Sequence, residues 1–183
     1  MTPEARPHAF YANRTATDAE TPDGMIVRAA AAALRNFSDA GRFASERLFL
    51  AAGIHRPHLP EIMPTSYFDG YNIDDIPPPD NPNIPEGLPS VSWNDCGEIR
   101  SYVQVKEQTK DFSEHVHFPA GLTAGMRLAY FAAQTFADAQ VGFLLDAVKD
   151  AGLSLEDDVC VVLWGGEPRR QRAVPRQAAN GPR

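Results

Sequence analysis

Cysteine is scarce in this 183-residue chain: Cys96 and Cys160 are the only two, too few for a disulfide framework. No apolar run approaches the roughly 18 to 20 residues that a membrane-spanning helix needs, so no membrane span is expected. An excess of basic charge is missing as well. The net charge is −7, whereas a general nucleic-acid binder carries a basic face, so nucleic acid is not an expected partner. The opening residues MTPEARPHAF lack the apolar core of a signal peptide. The chain itself therefore leaves its compartment open. What is present is ordinary for a globular domain: 43% hydrophobic and 22% charged residues, over a length sufficient for one domain with a core.

Residues 1 to 20 are polar and aperiodic and read as an irregular lead-in. Thr21 then caps a helix, with Pro22 at its first position and Asp23 near the positive end of its dipole. Ile26, Ala30, Ala33, Leu34 and Phe37 mark one apolar face at helical spacing, and Gly41 should end the helix. The second long helix runs from about Thr123 to Lys149. Met126, Tyr130, Ala133, Ala137, Val141, Leu144 and Val148 recur along it at steps of three and four, and Gly152 closes it.

Two apolar runs without polar alternation, Leu48 to Ile54 and Val159 to Trp164, read as parallel strands covered on both faces. With the helix between them they form a right-handed crossover unit. Cys160 falls inside the second run and reads as a small buried hydrophobe. From Pro60 to about Pro89 the chain reads as loop, because repeated prolines remove backbone donors. Tyr67, Phe68 and Tyr71 are placed to anchor its start.

Ligands of open α/β sheets gather beyond the carboxyl ends of the strands, which is where His55, Arg56 and His58 fall. Pro57 and Pro60 restrict the backbone on either side of His58. The Asp74-Asp75 pair lies in the proline-rich loop and reads as solvated charge. His115-Val116-His117 would put two imidazoles on one side of a strand, without an evident third ligand for a metal. Asn13-Arg14-Thr15 and Asn36-Phe37-Ser38 fit the glycosylation triplet, which arises often by chance.

The segment HRPHLP after FLAAGI resembles the x-Pro-His-x-Pro turn of the sulfatase family, in its iduronate-2-sulfatase-like branch. Three further stretches resemble that branch in order and spacing. These are Thr21-Pro22-Asp23-Gly24, the loop Ile84 to Pro89, and Tyr130 to Ala133 with Asp138 to Leu145 ahead of the strand Val159 to Trp164. The resemblance implies a partial alkaline-phosphatase-like α/β sandwich, with parallel strands flanked by helices. On that reading residues 21–165 are an internal piece of a catalytic domain, with a proline-rich loop at 60–92.

The resemblance also implies a chemistry. In such enzymes a formylglycine, made from cysteine in a Cys-x-Pro-Ser-Arg motif, attacks the sulfur of a sulfate ester. Calcium and basic side chains neutralise the sulfate oxygens. The substrates are sulfated sugars or other sulfate esters, and the family is usually lysosomal, secreted or periplasmic. His58 matches the family histidine near the leaving group, as a catalytic residue able to donate a hydrogen bond or a proton. Arg56 stands where the family commonly has a basic residue and is the candidate substrate contact.

The chain departs from the pattern in three respects. No amino-terminal strand ending in an aspartate pair is expected before residue 21. Cys96 is followed by Gly97-Glu98-Ile99 and Cys160 by Val161-Val162-Leu163, so neither can supply the formylglycine. Where the family has Asp-His-Gly or Asp-Asn-Gly for calcium, this chain has Gly165-Gly166-Glu167. The expectation is a sulfatase-type chain that is inactive by itself. The alternatives are a non-catalytic relative binding a sulfated glycan or partner, and a phosphoester hydrolase of the same fold. After Gly165 the composition changes abruptly to a stretch with five arginines and one acid. Residues 166–183 are expected to be a disordered basic tail that arises from a shifted reading frame or an unspliced intron.

Overall fold

The computed structural model describes residues 11–14, 16–113 and 117–165. The expectations about the 166–183 tail and about His115 lie outside these residues. Two long helices dominate, α1 (Pro22–Asp39) and α4 (Ala120–Asp150). Between them lie two short ones, α2 (Gly97–Ser101) and α3 (Val103–Lys106). Two short strands, β1 (Tyr11–Arg14) and β2 (Glu61–Pro64), pair in parallel with Tyr11 opposite Glu61 and Arg14 opposite Pro64.

Helix α1 begins as its sequence dictates. Thr21 is extended, its side chain accepts the Gly24 amide at 3.0 Å, and Pro22 occupies the first turn where no donor is lost. A close approach fixes Gly24: a Cβ there would lie 1.7 Å from the Asp18 carbonyl oxygen. At the other end the chain turns through Gly41 at a φ of 66°, a left-handed conformation that glycine adopts without a Cβ clash. Helix α4 ends in the same way, with the Gly152 amide donating to the Lys149 carbonyl at 2.8 Å.

The buried stripes differ in phase from those expected. On α1 the inward residues are Val27, Ala30, Ala31, Leu34 and Phe37, while Ile26 is exposed and Ala33 faces outward. On α4 they are Leu122, Gly125, Ala129, Ala132, Ala133, Phe136, Gln140 and Ala147. The residues expected there, such as Tyr130, Ala137 and Val141, are only half-buried. Both helices are alanine-rich on several sides. Apolar spacing therefore admits more than one face, and the neighbours choose.

Three apolar clusters hold the fold. Ala31 and Leu34 of α1 meet Ala147 of α4, flanked by Phe43, Leu144 and Val148. Met63 of β2 packs on Ala132, Ala133 and Phe136 of α4, with Tyr67, Phe68 and Tyr71 around them. Those three aromatics do anchor the start of the long loop, and the Tyr71 hydroxyl lies 2.6 Å from Thr135 Oγ1. Val105 and Leu122 form the third cluster, with Leu59, Ile99, Tyr102, Phe118 and Met126 around them.

The sandwich expectation is met only in part. Helix α4 packs on β2 of a parallel pair, but the pair is β1–β2 rather than the two apolar runs. β1 lies within the expected irregular lead-in, and β2 within the expected loop. Residues 48–54 and 159–164 form no ladder among the described residues, and most of their side chains are exposed. Phe49 is 90% exposed and Leu163 76%, and Cys160 is exposed rather than buried. The physical reason is that an apolar run specifies a segment that can be buried between layers. The burial itself needs neighbouring strands for its amides and a second layer over its outer face, and no described element supplies them.

Candidate functional site

The turn His55–Pro60 follows the first apolar run and opens onto a cavity of about 910 Å³. The cavity is walled by residues 52–59 on one side and 162–165 on another. Tyr130, Gln134, Ala137, Asp138 and Val141 of α4 and Glu98 of α2 line the rest. The residues expected at the site, Arg56 and His58, thus share one cavity with the end of the second apolar run.

The turn closes on itself. The His58 amide donates to the His55 carbonyl at 3.0 Å, and both the Arg56–Pro57 and Leu59–Pro60 peptide bonds are cis. His58 Nδ1 lies 3.0 Å from the Leu59 carbonyl oxygen, and His55 Nε2 lies 3.3 Å from the same oxygen. A carbonyl oxygen can only accept, so both contacts require protonated nitrogens. With Nδ1 so engaged, the Nε2 of His58 is the ring nitrogen free of that carbonyl. The two imidazoles stand 4.9 Å apart between centroids, tilted by 32°, and both residues are exposed.

Arg56 is arranged differently. It is half-buried, and its Nε and Nη2 both donate to the Ile62 carbonyl, at 3.3 and 3.2 Å. Burial lowers the guanidinium's proton affinity, while the nearby Asp23 and Glu61 carboxylates oppose that shift. Part of its donor set is thus spent on the main chain of β2, which fixes the head group beside the turn.

Asp23 is the residue that sequence reasoning assigned only to a helix dipole. It is 2% exposed, and its two carboxylate oxygens accept the amides of His55, at 2.8 Å, and Arg56, at 3.2 Å. The sequence signals were an acid in the first turn of a helix and its place in the Thr21-Pro22-Asp23-Gly24 stretch of the resemblance. Nothing local links it to a turn 32 residues away.

Among the described residues, the donors present do not fit calcium. The cavity offers the carboxylates of Glu98 and Asp138, both exposed. No three histidine, cysteine or acidic side chains come together among the described residues. Calcium takes about six to eight oxygen ligands, which these two carboxylates cannot approach. Asp74 and Asp75 are exposed on a single turn within the loop, where Asn72 accepts the Asp74 amide. His117 is exposed.

No family model matches the chain. Among curated proteins, iduronate 2-sulfatase of Homo sapiens is 33% identical over 109 residues, covering 58% of this chain and 19% of that protein. Iduronate 2-sulfatase of Mus musculus is 31% identical over 109 residues, with the same coverage. A sulfatase of Formosa agariphila is 28% identical over 131 residues, covering 63% of this chain and 21% of that protein. The chain thus spans about a fifth of the length of the curated relatives it matches. Over about three-fifths of its own length, this chain is related to the sulfatases, and among them to iduronate 2-sulfatase.

Proposed function

We propose that this chain carries the sulfate-binding histidine turn of a sulfatase of the iduronate-2-sulfatase type, acting on sulfate esters of sugars. His58 is the catalytic histidine of that reading and Arg56 a substrate contact. The observation that carries it is the turn itself. His58 sits at the mouth of a cavity, its Nδ1 is occupied by the Leu59 carbonyl, and Nε2 is left to meet a ligand oxygen. An imidazolium at that nitrogen donates a hydrogen bond to a sulfate oxygen and can pass a proton to a departing alkoxide. Arg56 adds fixed positive charge from beside the turn.

The chain alone is proposed to be inactive. It has no cysteine in the motif that yields a formylglycine, and the donors of its described residues do not suit calcium. Without the nucleophile the covalent path is missing rather than slowed. The same two observations favour a second reading, a non-catalytic relative that binds a sulfated glycan through the turn.

The test is titration of the isotope-labelled chain with phenyl sulfate, followed at the His58 ring, together with an assay for sulfate release. Both readings expect the His58 ring and the amides of the turn to shift, and the amide shifts at His55 and Arg56 to vanish in His58→Ala. Both expect no release of sulfate. A ring that ignores phenyl sulfate sinks the binding assignment, and turnover by the purified chain sinks the inactivity.

A further inference from the structure

We infer that Asp23 is the positioning residue of the histidine turn: its buried carboxylate grips two successive amides, at His55 and Arg56, and locks the turn against the start of α1. This rests on the reading of His58 as a sulfate contact and adds to it what sets the direction of the ring.

The grip is one end of a chain of hydrogen bonds that begins on α4. Gln140 Nε2 donates to Asp18 Oδ2 at 2.8 Å, and the Tyr67 hydroxyl donates to the same oxygen at 2.6 Å. The Asp18 carbonyl accepts the Thr21 hydroxyl at 2.7 Å, and Thr21 Oγ1 accepts the Gly24 amide. Gly24 is pressed so close to Asp18 that no side chain fits there. The first turn of α1 is therefore fixed to α4, and Asp23 projects from that fixed turn onto the amides of residues 55 and 56.

Two consequences follow for the site. Successive backbone amides commonly form an anion-binding concavity, but here that concavity is filled by the protein's own carboxylate. A sulfate ester must then be met by side chains of the turn rather than by these amides. The Asp23 carboxylate also favours the charged form of Arg56 electrostatically, against the effect of burial.

The experiment compares Asp23→Ala and Asp23→Asn in the full chain, by amide hydrogen exchange and by titration of the His58 ring with inorganic sulfate. In Asp23→Ala, exchange at His55 and Arg56 should rise by about tenfold or more. The amides of Ala30, Ala129 and Phe136 within the helices should stay protected. Asparagine keeps one acceptor oxygen, so one of the two amides should remain protected and part of the sulfate response should return. Sulfate should bind several-fold more weakly to Asp23→Ala than to the unmodified chain. If Asp23 only complements the helix dipole, both variants will speed exchange in the first turn of α1 alone, and the inference is wrong. It is equally wrong if turn exchange rises while sulfate affinity holds. A wild-type ring that ignores sulfate retires the sulfate reading, and the exchange data then decide by themselves whether Asp23 holds the turn. Should the alanine variant fail to fold, the asparagine variant decides.

Discussion

The Gln140 side chain, 1% exposed at the middle of α4, donates to the Asp18 carboxylate at 2.8 Å and so ties the longest helix to the residues leading into α1. The Tyr67 hydroxyl completes the site at 2.6 Å. A buried amide in a helix stripe is costly unless paired; its Nε2 meets a charged acceptor, which makes a stronger bond than a neutral one, while its Oε1 has no partner among the described residues.

Removing the phenol should weaken the fold. Tyr67→Phe loses a hydrogen bond to a carboxylate and should cost about 1–2 kcal/mol in urea unfolding at neutral pH. Burial and Asp18 both raise the Tyr67 ionisation above its ordinary value. An unfolded tyrosine ionises near pH 10. The stabilisation is therefore intact below that value and is lost as pH climbs from there towards the folded value. The gap between the two proteins should therefore narrow as pH rises past the unfolded value. A gap that stays constant through that alkaline range contradicts the assignment.

Gly24→Ala places a methyl against the Asp18 carbonyl oxygen, at 1.7 Å if nothing moves. Backbone must yield on one side or the other, at a cost of about 1–3 kcal/mol. The thermal midpoint should fall, and a midpoint equal to that of the parent chain would show that α1 does not start against Asp18.

Phe136 is buried at the centre of the cluster with Met63, Ala132 and Ala133. Phe136→Ala should destabilise by about 3–5 kcal/mol, from lost transfer energy plus the cavity left behind. Denaturant unfolding measures it, and a loss below about 1 kcal/mol would mean that this cluster is not the core.

The unladdered apolar runs should make the chain self-associate. Phe49 and Trp164 are 90% and 73% exposed, in segments with no strand beside them among the described residues. Such segments template pairing with other chains. Replacing both with lysine should reduce concentration-dependent light scattering while shifting stability by no more than about 0.5 kcal/mol. Unchanged scattering would place the association elsewhere.

The two long helices were legible because their signals are local. Thr21-Pro22 starts α1, Gly41 and Gly152 stop the helices, and the apolar spacing spans every turn between. The histidine turn was legible from its prolines. Leu48–Ile54 misled, because an all-apolar run reports what a segment can bury and not what is there to bury it. β1 and β2 went unread for the opposite reason: four residues each, one pair held together by partners some 50 positions apart.

The sequence by itself determined where α1 and α4 form and end, and that His55, Arg56 and His58 would share one stiff turn. These are properties of backbone preference and capping, settled within a few residues. The tertiary structure alone decided which face of each alanine-rich helix is buried, and that Gln140 and Tyr67 meet at Asp18. It also decided that Asp23 closes on the amides of the turn. Those outcomes depend on groups far apart in the chain competing for the same space and the same donors, and no local pattern records the winner.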